Sequence, residues 1–167
     1  MVIPNNVTKI GGQAFYKCQK LTGNLIIPEK VESIGDHSFQ GCSGFTGDLI
    51  IPDSVLYVGT YAFGGCTGFN GILKIGKAVK SIEAFSFSQC SGLTGDLIIP
   101  DSVEKIGNNA FQGCSKLDGN LKLSSSLTEI GNNAFQNCNE ITGELSIPYG
   151  VTKIGRSAFT GCAKLTK

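Results

Sequence analysis

The sequence predicts an α/β-type solenoid, made mostly of short parallel β-strands, in which copies of a 24-residue unit stack on one another. Three observations predict it. The 167 residues fall one short of seven such units, seven cysteines recur at intervals of 24, and a phenylalanine lies three positions before every cysteine. A unit of this size cannot bury an apolar face alone, so its neighbours must cover it. The cysteines are Cys18, Cys42, Cys66, Cys90, Cys114, Cys138 and Cys162.

The whole chain forms one predicted domain of seven units, without evident caps. Met1 and Lys167 stand close to unit boundaries, and the terminal units keep the apolar residues of the inner ones. Two interpretations of these ends remain open: a segment of a longer array, and a solenoid whose ends stack head to tail. The units are 1–24, 25–48, 49–72, 73–96, 97–120, 121–144 and 145–167.

Apolar residues that recur in every unit predict the core. A small residue precedes each phenylalanine, and a valine and an isoleucine recur at fixed distances before it. Equivalent residues of stacked units lie above one another, so each position becomes a continuous apolar ladder. The phenylalanine ladder consists of Phe15, Phe39, Phe63, Phe87, Phe111, Phe135 and Phe159.

The runs Leu25–Ile27, Leu49–Ile51 and Leu97–Ile99 predict the main strands. Their first and third side chains would point into the coil and the middle one to solvent. A proline follows each run and removes an N–H, which would end the strand. The next segment, Val103–Ile106, is either irregular or a second extended run, and Asn108–Cys114 predicts a single helical or 3₁₀ turn.

The complete pattern, L-x-I-P-x-x-V-x-x-I-G-x-x-A-F-x-x-C-x-x-L-T-G, resembles the BspA-like leucine-rich repeat. This class occurs on bacterial and protist surface proteins. The resemblance implies a right-handed leucine-rich-repeat superhelix with a concave parallel β-sheet and irregular or short helical turns on its convex side. It also implies an extracellular or cell-surface parent protein, although no signal peptide is evident at Met1–Pro4. Gly76, Ser124 and Glu83 depart from the pattern at turns.

In proteins of this class the concave sheet is commonly the binding face. Mapped onto this chain, that face consists of the outward strand residues and the residues that flank them. The predicted protein-binding residues are Asn24, Ile26, Asp48, Ile50, Ile72, Lys74, Asp96, Ile98, Asn120, Lys122, Glu144 and Ser146.

A second candidate surface is an apolar patch where the repeat otherwise places polar residues. Such a patch commonly marks an interaction surface. Drift within a decaying repeat, or packing against an adjacent domain, would explain it equally well. The patch consists of Leu56, Tyr57, Tyr61 and Phe85.

Composition and spacing argue against several other classes of function. A net charge of +1 without a basic block gives no basis for nucleic-acid binding, and no apolar run is long enough for membrane insertion. No C-x-x-C pair exists and His37 is the only histidine, so we expect buried free thiols, no metal and no cofactor. Carboxylates at variable, outward positions do not predict an enzyme.

The sequence therefore predicts a non-enzymatic, adhesin-like binding module whose partner is a host, matrix or cell-surface protein. The alternative is a structural spacer, or a solenoid that associates with itself end to end, without a specific ligand site.

Overall fold

The computed structural model describes residues 1–167 and contains fifteen two-residue β-strands and no helix. No segment therefore has the helical length and hydropathy that a membrane span requires. The strands are β1 (Lys9–Ile10), β2 (Gly23–Asn24), β3 (Ser33–Ile34), β4 (Phe45–Thr46), β5 (Leu49–Ile50), β6 (Tyr57–Val58), β7 (Leu73–Lys74), β8 (Ser81–Ile82), β9 (Leu97–Ile98), β10 (Lys105–Ile106), β11 (Leu121–Lys122), β12 (Glu129–Ile130), β13 (Gly143–Glu144), β14 (Lys153–Ile154) and β15 (Leu165–Thr166).

One parallel seven-stranded sheet runs the length of the solenoid, in the order β1-β3-β6-β8-β10-β12-β14. Equivalent residues pair throughout, as Ile10 does with Ile34 and Ile106 with Ile130. The prediction that the Leu-Ile-Ile runs form the main strands is therefore wrong, because those runs form only two-stranded sheets. The segment that includes Lys105–Ile106 forms the continuous sheet instead, since its backbone repeats identically in every unit and every neighbour can bond to it.

The predicted helical or 3₁₀ turn at Asn108–Cys114 is also wrong, and with it the α component of the fold class. The segment is a series of tight turns. Asn109 has a positive φ, as does the equivalent residue of every unit, with values between 54° and 58°. This backbone turns alternate N–H groups toward the next unit: Asn109 donates to the Asn132 carbonyl and Phe111 to the Ala134 carbonyl, each at 2.8 Å. Such bonds between coils replace the bonds within a helix.

The predicted apolar ladders form one continuous core. Neighbouring rings of the phenylalanine ladder are stacked within 11° of parallel, with centroids 5.1 to 5.7 Å apart. Phe39 through Phe135 are fully buried, whereas Phe15 and Phe159 in the terminal units are half-buried. Stacking of units therefore completes the core, as expected for a repeat that cannot fold alone.

The cysteines are free thiols, and the five in the inner units are buried. Each buried Sγ donates to the carbonyl of a phenylalanine in the preceding unit, as Cys114 does to Phe87 at 3.2 Å. Burial raises the pKa of the Cys42 thiol to about 11 and that of Cys114 to about 12. No three histidine, cysteine, aspartate or glutamate side chains come together in a way that could hold a metal ion.

Candidate functional site

The Leu-Ile-Ile runs and the residues that flank them form a second face of the coil, which we call the Leu-Ile-Ile face. The predicted alternation of its side chains is confirmed: Leu97 and Ile99 are buried and Ile98 between them is 52% exposed. All twelve predicted binding residues lie at the surface, and of these only Ile50 is half-buried. This face therefore presents a row of side chains to solvent along the whole solenoid.

Backbone pairing on the Leu-Ile-Ile face alternates between two registers. Strand β5 pairs with β7 and β9 with β11 between residues 24 apart, for example Leu49 with Leu73. The intervening contacts join residues 22 apart, as in the bridge from Ile72 to Thr94. The structural period of this face is consequently two sequence units, although the sequence period is one.

Polar side chains just before the strands accompany this alternation. At contacts with the 24-residue register, Asp48 Oδ1 accepts the Ile72 N–H at 2.8 Å and Asp96 Oδ1 accepts the Asn120 N–H at 2.7 Å. At the other contacts the bond runs from the earlier unit to the later one: the Gly95 N–H donates to Asp118 Oδ1 at 2.8 Å. Two kinds of turn thus follow one another along the chain.

The glycine of each turn changes conformation with the register. Gly47 and Gly95 have φ values of 77° and 78°, which favour glycine strongly, whereas Gly71 and Gly119 do not have a positive φ. A Cβ at Gly71 would lie 2.0 Å from Asp48 Oδ1, so this position also requires glycine, for a different reason. Glycine therefore recurs in the sequence while serving two geometries.

A groove opens where the shorter register leaves two strands unpaired. Strand β7 pairs only with β5 and β9 only with β11, so the edges of β7 and β9 that face each other share no ladder. The groove between them has a volume of about 620 Å³. Leu73, Ile75 and Ile99 form its buried floor, and Ile72 and Ile98 stand exposed at its sides.

The edge of the groove carries unpaired backbone groups. Ile51 and Ile99 donate their N–H groups to Lys74 and Lys122 at 2.8 and 2.9 Å. The equivalent Ile75 donates and accepts no backbone hydrogen bond, although the residue is 5% exposed. Buried backbone groups without a partner cost free energy unless water or a ligand satisfies them. The floor of the groove therefore offers one free donor and one free acceptor.

The charges around the groove are unequal. Lys74, Lys77 and Lys122 line it, and none of these three forms an ion pair. Asp96 and Asp101 also line it, but both carboxylates already accept backbone N–H groups, from Asn120 and Ser125. Bonds from Ser125 hold the pKa of the Asp101 carboxyl below its usual value. The groove thus presents three unengaged cations to a ligand.

The structure brings some predicted binding residues together and leaves others apart. Five of the twelve line the groove, namely Ile72, Lys74, Asp96, Ile98 and Lys122. The remaining seven do not line it: Asn24, Ile26, Asp48, Ile50, Asn120, Glu144 and Ser146. Sequence reasoning missed Ile75 and Lys77; the signal available was the change from Thr-Gly to Asn-Gly or Asp-Gly between successive units.

The predicted apolar patch divides into two parts. The rings of Tyr61 and Phe85 are stacked 4.4 Å apart, and His37 stacks on Tyr61 at 5.2 Å. Tyr57 lies on the seven-stranded sheet, where its hydroxyl donates to Asp36 Oδ1 at 2.9 Å. Burial, and then the neighbouring carboxylate, raise the pKa of Tyr57 to about 12.

Comparison with solved structures finds bacterial leucine-rich repeat proteins. The leucine-rich repeat protein of Treponema pallidum, abbreviated T. pallidum in its description, is 26% identical with a TM-score of 0.86, over 99% of this chain and 77% of that one. A leucine-rich repeat protein from Bacteroides ovatus is 26% identical with a TM-score of 0.71, and this chain covers 46% of it. A leucine-rich cell surface protein from Faecalibacterium prausnitzii is 26% identical with a TM-score of 0.52, over 96% of this chain and 56% of that one.

No curated protein matches the sequence. The profile of one family, described as "BspA type Leucine rich repeat region (6 copies)", matches residues 1–94 and 46–166, which is nearly the whole chain. The resemblance in the repeat pattern is confirmed by this match and by the shared fold. The chain therefore belongs to the BspA-type leucine-rich repeat family.

Proposed function

We propose that this chain is a non-enzymatic protein-binding module that engages its partner through the Leu-Ile-Ile face. The observation that carries the proposal is the row of exposed apolar residues there: Ile26, Ile72 and Ile98 are 63%, 47% and 52% exposed. Exposed apolar groups that lie along one surface favour an interaction site. Leucine-rich repeats commonly mediate protein interaction, and the family assignment supports this class of function.

The opposite candidate, the outward row of the seven-stranded sheet, satisfies more of its own side chains. Glu129 forms ion pairs with Lys105 at 3.0 Å and with Lys153 at 2.6 Å. Tyr57 is bonded to Asp36 in the same way. A partner would have to break these contacts, so the Leu-Ile-Ile face is the better binding surface.

The proposed location is the cell surface or the extracellular space. It is supported by the family, whose members are generally secreted or cell-surface bacterial proteins, and by the Faecalibacterium prausnitzii relative described as a cell surface protein. The partner proposed is accordingly a host, matrix or cell-surface protein.

Binding to a panel of immobilised, purified matrix and host-surface proteins tests the proposal. A triple variant, Ile26→Lys, Ile50→Lys and Ile98→Lys, should weaken capture of any bound protein about tenfold or more, because it removes apolar contact and adds charge at the interface. The thermal unfolding midpoint should stay close to that of the parent chain, since these side chains do not belong to the core.

The matched control carries the same number of new lysines on the other face: Ser33→Lys, Tyr57→Lys and Ser81→Lys. It should bind within about twofold of the parent chain. Equal loss in both variants would contradict the assignment of the face. Absence of any capture would favour the second candidate, a structural spacer, and sedimentation at several concentrations would then distinguish a monomeric spacer from a solenoid that associates end to end.

A further inference from the structure

The groove between β7 and β9 differs from an ordinary crevice between side chains because a strand edge lines it. Ile75 lies one residue beyond β7, and its N–H and C=O point to no backbone partner. The equivalent residues Ile51 and Ile99, on the strands that pair across the longer register, donate to a neighbour. The free groups at Ile75 are therefore a local consequence of the register change and not a property of the repeat.

A free strand edge has a specific chemical complement. An extended peptide supplies alternating N–H and C=O groups at the spacing of a strand, and its side chains then fill pockets on either side. The groove offers such pockets, since Ile72 and Ile98 border it and Leu73 and Ile99 lie beneath. A compact ligand without a peptide backbone would leave the Ile75 groups unsatisfied.

The lysines around the groove select the charge of the ligand. Lys74, Lys77 and Lys122 make no ion pair with the protein, while Asp96 and Asp101 are engaged by backbone N–H groups. A ligand carboxylate would therefore meet cations that are free to pair with it. A basic ligand would have to compete for carboxylates that already stabilise the turns.

The corresponding space between Leu25–Ile27 and Leu49–Ile51 provides a natural contrast. It has the same position in the two-unit period, but isoleucine and glutamate, Ile26 and Glu29, stand where the groove has Lys74 and Lys77. Its proline, Pro28, is replaced in the groove by Gly76, where a Cβ would lie 2.0 Å from the Pro52 carbonyl oxygen. Cation-lined apolar space is thus specific to the contact between the fourth and fifth units.

We infer that this groove binds an acidic, extended peptide segment of the partner protein, which adds a strand to the free edge at Leu73–Ile75. The segment alternates apolar side chains, which enter the groove between Ile72 and Ile98, with carboxylates that pair with the three lysines. This inference rests on the proposed function and specifies the chemistry that one part of the Leu-Ile-Ile face recognises.

Three synthetic peptides test the inference. The first alternates valine with glutamate, the second replaces every glutamate by lysine, and the third is the glutamate peptide with alternate backbone nitrogens methylated. The glutamate peptide should bind at least about tenfold more tightly than either of the others, because they lose charge pairing and strand hydrogen bonds respectively. Equal binding of all three, or no binding of the first, would overturn the inference.

Amide hydrogen exchange locates the bound peptide. The N–H of Ile75 should exchange about tenfold more slowly in the presence of the glutamate peptide, while that of Ile99, which is already bonded, should change little. Binding that leaves the Ile75 exchange rate unchanged would show that the peptide attaches elsewhere, and would also overturn the inference.

A pair of exposed residues supplies the matched variants. Ile98→Glu places a negative charge beside the groove and should weaken the glutamate peptide about tenfold. Ile26→Glu makes the same change at the equivalent position of the contrasting space and should leave the affinity within about twofold. Both side chains are more than half exposed, at 52% and 63%, so neither variant removes a core contact. Equal effects of the two variants would contradict a groove-specific site.

These outcomes separate the inference from the proposed function. If the Ile26→Lys, Ile50→Lys and Ile98→Lys variant loses matrix-protein capture but the glutamate peptide does not bind, the face is correct and the groove ligand is wrong. If the peptide binds at Ile75 and no protein of the panel is captured, the peptide chemistry is correct and the broader matrix-protein assignment fails.

Discussion

The two faces of the solenoid solve the same stacking problem in different ways. On one, equivalent residues pair unit after unit, and seven strands join into a single sheet. On the Leu-Ile-Ile face, pairing alternates between residues 24 and 22 apart, and the strands join only in twos. The first face is uniform because its backbone is the same in every unit. The second varies because the turns that lead into it differ.

This difference indicates where a repeat protein can acquire a binding site. A continuous parallel sheet uses its backbone groups internally and leaves side chains alone to make contacts. A face with interrupted pairing also leaves backbone groups, such as those of Ile75, and an opening beside them. Recognition of an extended peptide is therefore favoured on the less regular face, while the regular face holds the coil together.

The largest expected effect concerns the core that both faces share. Phe87 is fully buried and stacks on Phe63 and Phe111 at 5.7 and 5.4 Å. Phe87→Ala should lower the free energy of unfolding by about 3–5 kcal/mol in urea titrations, because it leaves a cavity in the ladder. Phe85→Ala, at a half-buried site outside the core, should cost about 1 kcal/mol or less. Similar costs at the two positions would refute the distinction between core and surface ladders.

Alkaline pH should weaken both faces together through the buried thiols. The pKa of Cys114 is raised by burial to about 12, so the thiol stays protonated in the folded chain while it ionises in the unfolded one above about pH 9. The unfolded state then binds fewer protons, and stability falls as pH rises. Each such thiol should contribute a loss of about 2 kcal/mol by roughly pH 10.5.

The measurement is urea unfolding at a series of pH values, with Cys114→Ala as the control. The variant should be less stable at neutral pH but should lose less on going to alkaline pH, because one buried titrating group has been removed. A slope identical to that of the parent chain would show that the Cys114 thiol ionises freely in the folded state.

A smaller effect should distinguish the turns of the Leu-Ile-Ile face. Asp96 Oδ1 accepts the Asn120 N–H at 2.7 Å. Asp96→Ala should cost about 1 kcal/mol in urea unfolding and should accelerate exchange of amides at β9 and β11, since the turn loses the bond that holds the longer register. Exchange at β10 on the other face should remain unchanged. A uniform acceleration on both faces would indicate that the registers are not independent.

The smallest effect is expected for the exposed ion pairs of the seven-stranded sheet. Glu129→Gln removes the charge that pairs with Lys105 and Lys153. Surface ion pairs contribute little, so the thermal unfolding midpoint should shift by no more than about 2 °C. A large shift would mean that side chains, and not backbone pairing, determine the stability of this face.

The parts of the fold that repeat exactly once per unit could be predicted from the sequence. The phenylalanine and cysteine ladders follow from the interval of 24 residues, and the outward position of Ile98 follows from strand alternation. The continuous sheet was harder to recognise, because each of its strands, such as Lys105–Ile106, has only two residues. The proline after each Leu-Ile-Ile run drew attention to the other face.

The groove could not be predicted, because it depends on the orientation of peptide groups and not on residue type alone. Gly47 and Gly71 are the same residue in the same position of the unit, yet only Gly47 has a positive φ. The neighbouring Thr46 and Asn70 are the visible sequence difference, but Thr22 shows that the alternation of residue types is incomplete. Lys74 and Ile98 were identified as surface residues without evidence that they share an opening.

The alternating registers also affect how such a chain can change in length during evolution. A gene duplication that inserts one unit places two turns of the same kind next to each other, and one of them must adopt the other geometry. A duplication of two units preserves the order of turns and repeats every contact already present. Selection should therefore favour growth and loss of this array by 48 residues, the distance between Asp48 and Asp96, over single steps.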